Sequence, residues 1–229
     1  MNPVQPLTTV RVWDLPTRLF HWLLVVAVVG LVVTGQIGGN LMDLHFQLGL
    51  FTGALLLFRL VWGVVGGHWS RFASFVRSPA TLLRYLRGDH AGLDVGHNPL
   101  GALSVLALLT LLLVQVGTGL VADDEIANVG PLNRFVSGAL ASLATEYHSE
   151  VGKTLLIVLV LLHVGAIAFY LHRKRINLVR PMVLGDKVLP PDTPASRDSW
   201  GTRLLALLVF AACLALMAWV RSLGDVPTF

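Results

Sequence analysis

Four histidines lie inside long apolar runs or at their ends. His21 belongs to the run Leu19 to Gly38, His45 to Leu44 to Gly66, and His148 and His163 to Tyr147 to Leu171. A neutral imidazole offers one ring nitrogen as a metal ligand and the other as a hydrogen-bond donor. Ionisable groups at membrane depth are costly and are retained chiefly for function. His148 and His163 set the geometry. The fifteen residues that separate them cover about 22 Å of helix and leave the side chains about 60° apart around its axis. One helix face therefore carries a ligand near each end of a segment long enough to cross a bilayer.

The elements that must position these residues follow from composition. Of the 229 residues 55% are hydrophobic and 13% charged, and the mean hydropathy is +0.72. That balance excludes a water-soluble fold of this size. A bilayer core takes about 20 apolar residues per helix, and two further runs qualify, Leu100 to Ala122 and Leu204 to Val220. None alternates as a barrel strand does, so the backbone groups of all five are satisfied only as helices. The expected fold class is an all-α integral membrane protein, a four-helix transmembrane bundle plus a fifth, C-terminal transmembrane helix. The first run is too long for a signal-peptide core and ends in Gln36-Ile37-Gly38-Gly39-Asn40 without a cleavage pattern, so it is expected to stay as a span.

Basic residues give the orientation. Of the 17 Lys and Arg, 14 fall on one side of the spans, two on the other, and one, Lys153, inside the fourth run. The positive-inside rule places the N-terminus and the second and fourth connections in the cytoplasm. The loop with Asp123, Asp124, Glu125 and Glu146 then lies outside, as does the C-terminus. These charges mark topology and lipid-headgroup contact, not nucleic-acid binding, because no recognition module accompanies them. A single cysteine, Cys213, excludes a disulfide within the chain and reads as a small buried thiol.

The remaining histidines divide by depth. His68 and His90 fall in a polar cytoplasmic stretch and read as solvated, and His172 opens a His-Arg-Lys-Arg run at the interface. His97 precedes the third span and competes with His21 as an inner ligand. Depth otherwise pairs His45 with His148 at the outer side and His21 with His163 in the cytoplasmic half. Haem takes one imidazole on each face of a flat macrocycle, with the nitrogens about 4 Å apart, so two stacked bis-histidine haems are expected. Gly49 and Gly152 each follow an outer histidine by four residues, where small side chains make room. Lys153 at the outer site, and Arg18 and Arg59 at the inner one, are candidate partners of haem propionates. Their competing readings are a snorkelling lysine and ordinary positive-inside charges. A transition-metal ion transporter is a rival, but it needs intramembrane carboxylates or cysteines, and the nearest carboxylate is Glu150.

The segments Trp13-Asp14-Leu15-Pro16-Thr17-Arg18-Leu19-Phe20-His21-Trp22, Leu44-His45, Gly96-His97-Asn98-Pro99, Tyr147-His148-Ser149-Glu150 and Leu162-His163-Val164 resemble the prokaryotic cytochrome b561 family, which includes b-type cytochrome subunits of nickel-iron hydrogenases. The resemblance covers about residues 10 to 187. It implies two b haems, ligated by His21 with His163 and by His45 with His148, in a bacterial inner membrane, with quinone as mobile partner. Residues 1–187 then form the di-haem domain, 188–203 a cytoplasmic linker, and 204–229 the fifth helix with a short periplasmic tail. The fifth helix departs from the minimal pattern, and partner docking and homodimer packing are its candidate roles.

The expected function is electron transfer between a periplasmic donor and quinone. A c-type cytochrome, a dehydrogenase or hydrogenase subunit, and superoxide are the candidate donors. A superoxide:quinone oxidoreductase would make the protein an enzyme, and the sequence leaves that open. Beside the transporter stands a further alternative, a membrane anchor subunit of a larger redox complex.

Overall fold

A computed structural model of the chain describes residues 6–88, 95–126 and 128–224. His90, read above as solvated, lies outside the described residues. In chain order the elements are strand β1 (Thr8–Arg11), helices α1 (Leu15–Ile37), α2 (Met42–Val65), α3 (Phe72–Phe75), α4 (Pro79–Leu86), α5 (Pro99–Val121), α6 (Gly138–Glu146), α7 (Lys153–His172) and α8 (Val179–Leu184), strand β2 (Asp186–Leu189), and helix α9 (Trp200–Ser222).

Local chemistry explains where the long helices start and stop. The Asp14 carboxylate accepts from the Thr17 amide at 2.8 Å and caps α1. Gly38 and Gly39, with φ of 65° and 54°, break the chain between α1 and α2 in a conformation that other residues rarely adopt. The Asn98 side chain accepts from the Gly101 amide at 2.7 Å and caps α5, with Pro99 at its first position. The fourth apolar run, expected from Tyr147, is preceded by a helix that begins at Gly138, where Ser137 supplies the cap. Between α6 and α7 lies one wider, π-helical turn, Tyr147–Gly152.

Among the described residues, five helical segments are long and apolar enough to cross a membrane: Leu15–Ile37, Gly39–Val65, Pro99–Val121, Gly138–His172 and Trp200–Ser222. Their outward faces are apolar. Val26 (69% exposed), Leu161 (65%), Leu162 (63%) and Leu207 (62%) would be a large liability in water but suit hydrocarbon. The protein is a multi-pass membrane protein.

The chain divides into two compact units, each drawing segments from the long helices: residues 1–21, 59–106 and 162–207 in the first, and 22–58, 107–161 and 208–229 in the second. The first unit is organised around Asp14, which is fully buried. Besides capping α1, its carboxylate accepts from Ser70 Oγ at 2.7 Å, Gly67 N at 3.1 Å and Trp62 Nε1 at 3.2 Å. One side chain thus fixes the start of α1 against the end of α2 and the turn that follows. A two-stranded antiparallel ribbon, β1 with β2, pairs Thr8 with Leu189 and Arg11 with Asp186. This ribbon departs from the all-helical expectation, and its strands are too far apart in sequence to betray the pairing.

The stretch before α9 is tied to the same unit. Ser196 Oγ donates to Val12 O at 2.7 Å, and Trp69 Nε1 donates to Pro194 O at 2.7 Å. Arg11 bonds both Asp186 and Asp198 at 2.6 Å, and Arg203 reaches Asp198 at 2.9 Å. In the second unit α9 packs on α2. Phe210 sits edge-on to Phe51 and Phe58, 6.0 and 5.9 Å between ring centroids, and Gly53 leaves room for the Met217 thioether. Cys213 is buried there.

Two outcomes follow. Asp14→Ala strips the acceptor from four donors in a dry site and is expected to cost about 3 kcal/mol or more, read as a lowered thermal midpoint in detergent; Asp14→Asn, which keeps one acceptor, should cost less. Burial pushes the Asp198 carboxyl up, but the hydrogen bonds from Arg203 and the Leu15 amide and the charges of Arg203 and Arg11 outweigh it, and the net shift is downward. The stabilisation from this clasp is therefore complete above the ordinary carboxylate range and fades as pH falls through the lowered value. Asp198→Asn should narrow its stability gap to the wild type as the solution is acidified, and a gap constant with pH would contradict this.

Candidate functional site

The second unit holds the better-defined pair of histidines. His45 near the start of α2 and His148 in the π-helical turn face each other, with ring centroids 6.1 Å apart and ring planes crossed at 84°. A metal–imidazole bond is about 2 Å, and the ring centroid lies about 1.1 Å beyond the nitrogen. Two imidazoles on opposite sides of one metal ion therefore have centroids about 6 Å apart, the separation observed.

Each ring is turned by its other nitrogen. His45 Nδ1 lies 3.1 Å from Leu31 O and 3.1 Å from Thr34 Oγ1. His148 Nδ1 lies 2.9 Å from Gln115 O and 3.4 Å from Thr118 Oγ1. A carbonyl oxygen only accepts, so Nδ1 carries the proton in both rings and Nε2 keeps its lone pair. That is the tautomer a histidine ligand needs. The two threonine hydroxyls spend their own protons on helix carbonyls, Thr34 on Gly30 O at 2.7 Å and Thr118 on Val114 O at 2.9 Å.

Glycine clears the space for both rings. A Cβ at Gly35 would sit 3.1 Å from His45 Cε1, and one at Gly119 only 2.8 Å from His148 Cε1. The receiving segments are alike: Leu31-Val32-Val33-Thr34-Gly35 on α1 and Gln115-Val116-Gly117-Thr118-Gly119 on α5. In each, the first residue supplies the carbonyl, the fourth the hydroxyl and the fifth the gap. Sequence reasoning missed these segments, although the repeated Val-x-Thr-Gly was there to be read.

A cavity adjoins the pair, lined by both histidines, Gly49, Lys153 and Asn128 among mostly apolar side chains. No side chain would meet a Cβ at Gly49, in keeping with the space expected there. Gly152 differs: its missing Cβ is replaced by the Gln115 amide and the Tyr147 ring, so it makes room for protein and not for a macrocycle. Lys153, read above as a propionate partner, reaches the same cavity as the two histidines.

The first unit holds His21, His163, Arg18 and Arg59. His97 lies between Trp13 and Phe75, at centroid distances of 4.7 and 4.6 Å. Its imidazole is pushed down to about 3, by burial first and then by the charges of Arg59, Lys187, His21 and His163. His97 is thus neutral at physiological pH and lies within electrostatic reach of both expected inner ligands. His163 Nδ1 is 3.5 Å from Ser104 Oγ, a long contact. Arg59 is buried, with its guanidinium 4.7 Å above the Phe72 ring and Nη1 without a partner among the described residues. Arg18 gives Nη1 to Val183 O at 2.6 Å, while its buried Nε has no hydrogen-bond partner among the described residues. Both arginines thus keep a buried donor for a further acceptor.

A probable Ni/Fe-hydrogenase B-type cytochrome subunit of Azotobacter chroococcum mcd 1 is 29% identical over 230 residues, covering 83% of this chain and 93% of its own length. Its counterpart in Bradyrhizobium diazoefficiens is 23% identical, covering 78% of this chain and 86% of its own. A probable Ni/Fe-hydrogenase 1 B-type cytochrome subunit of Escherichia coli K12 is 24% identical over 143 residues, and the match spans 60% of that protein and 50% of this one. No solved structure matches. The family of prokaryotic cytochrome b561 matches residues 12–185, a stretch that holds every histidine described above. Haem b is the family's cofactor, and the facing imidazoles, their proton-bearing Nδ1 atoms and the cleared glycines fit it. Five apolar helices, paired imidazoles and this match place the chain in one family: it belongs to the prokaryotic cytochromes b561.

Proposed function

We propose that the protein carries electrons across a bacterial inner membrane through two b haems, one held by His45 and His148 and the other by His21 and His163. The single observation that supports the reading is the His45–His148 pair, two rings 6.1 Å apart at their centroids whose hydrogen bonds at Nδ1 leave both Nε2 lone pairs available to a metal. Haem held by His45 and His148 would supply a one-electron redox centre, and two imidazole ligands would suit it to electron transfer and not to oxygen activation. His21 and His163 take the second haem by the same chemistry, and both lie within electrostatic reach of the half-buried His97.

The cationic side chains meet the propionates, Lys153 at the outer haem and Arg18 and Arg59 at the inner one. Each pairing holds the macrocycle at its polar edge and sets its potential through charge. The charge asymmetry of the loops puts the N-terminus in the cytoplasm and the His45–His148 haem on the periplasmic side. Quinone exchanges electrons with the inner haem. Of the three candidate donors, the names of the relatives favour a hydrogenase-type subunit over a c-type cytochrome or superoxide. In that setting the chain is the cytochrome subunit of a larger complex. Among the described residues no three His, Cys, Asp or Glu side chains gather around one point, which speaks against a metal-ion transporter.

Vesicles enclosing ferricyanide test the transfer directly. With the protein in the membrane, added quinol is expected to reduce the enclosed ferricyanide, and His45→Ala should stop it; equal rates for His45→Ala and wild type would contradict the proposal. The glycines give a finer test. Gly119→Ala drives a methyl group into the His148 ring at a cost of about 1–3 kcal/mol, so it should lower both haem content and thermal stability. Gly49→Ala meets no side chain and should leave the apoprotein's thermal midpoint unchanged while lowering outer-haem occupancy. Matching losses of stability in the two variants would contradict this account of the cavity.

A further inference from the structure

The receiving segments on α1 and α5 share Val-x-Thr-Gly and differ at two positions, Leu31 against Gln115 at the first and Val33 against Gly117 at the third; only the first of these brings a polar side chain. Leu31 and Gln115 each supply the carbonyl that turns a histidine ring. Gln115 does more: its Nε2 donates to the His148 backbone carbonyl at 2.7 Å, while its own carbonyl lies 2.9 Å from His148 Nδ1. The two residues are joined twice, backbone to side chain in both directions. Leu31 has no side-chain donor to make a second bond with His45.

The surroundings are built for this second bond. His148 sits in the π-helical turn Tyr147–Gly152, a local widening that changes where a carbonyl points and that recurs at functional sites. Gly152, in the same turn, has no Cβ because the Gln115 amide occupies that place. Gln115 Oε1 is buried and has no hydrogen-bond partner among the described residues. A buried unsatisfied acceptor is destabilising, so packing alone would favour leucine or methionine here. What the amide contributes is its donor.

We infer that Gln115 is a positioning residue for the outer haem, fixing through the His148 carbonyl the rotation of the His148 ring and so the crossed arrangement of the two axial imidazoles. The inference rests on the proposed ligation by His45 and His148. Crossed axial planes leave the two iron orbitals that overlap with them nearly equal in energy, which gives a strongly anisotropic low-spin ferric EPR signal. With the donor removed, His148 keeps its Nδ1 bond, and the ring gains freedom to turn about it.

The test compares Gln115→Met, which keeps the length and removes the donor, with Gln115→Glu, whose protonated carboxyl restores a donor. Both are measured as purified cytochrome at mildly acidic pH by EPR and by redox titration. In Gln115→Met the large maximum g value of the outer haem is expected to fall and its potential to shift, with the other haem unmoved, and Gln115→Glu should return toward wild type. An unchanged signal in Gln115→Met, or the same change in both variants, would overturn the inference. Where Gln115→Met fails to hold the outer haem, Gln115→Glu decides: a signal near wild type supports the donor role, and equal loss overturns it. If the wild type lacks a signal that His148→Ala removes, it is the ligation itself that fails.

Discussion

Two imidazole rings held 6.1 Å apart with their Nδ1 protons given to helix carbonyls are the constraint on which the second unit depends. A lone histidine in hydrocarbon can satisfy itself in many ways. These two rings are committed at Nδ1, His45 to Leu31 O and His148 to Gln115 O. The helix supplying each carbonyl must come within hydrogen-bond reach of the ring, and this requires glycine where the ring passes over the backbone. Gly35 and Gly119 meet that need, and the threonines beside them add an oxygen without asking the ring for its lone pair.

The first unit solves a different problem. A membrane protein's helix ends must be satisfied where lipid gives way to water. Asp14 does this for α1 and at the same time gathers Trp62, Gly67 and Ser70. The start of the helix that carries His21 is thereby set against the end of the helix that carries Arg59. The ribbon of β1 and β2 and the Arg11–Asp198–Arg203 clasp tie the last helix into the same unit. The fifth helix also joins the second unit through Phe210 and Met217.

Much of this could be read before any coordinates. Apolar runs of the right length announce five helices, because the bilayer leaves the backbone no alternative. The limits lay where meaning depends on which helix faces which. Gly152 reads as space for a cofactor until the Gln115 amide is seen filling it. Gln115, Thr34-Gly35 and Thr118-Gly119 carry no signal of their own in the apolar runs, because their meaning depends on the rings they receive. Asp14 stands in the segment Trp13-Asp14-Leu15-Pro16 that carries the resemblance, but its role is not legible there, because three of its four donors, Trp62, Gly67 and Ser70, come from residues about fifty positions away.

The central claim is that each histidine pair holds one haem, and haem stoichiometry tests it most directly. The pyridine haemochrome of purified protein, with oxidised and reduced spectra, should give two b haems per chain, one in His148→Ala and one in His163→Ala, with the surviving haem spectrally distinct in the two variants. Two haems retained in either variant, or a colourless wild type from haem-replete cells, would contradict it.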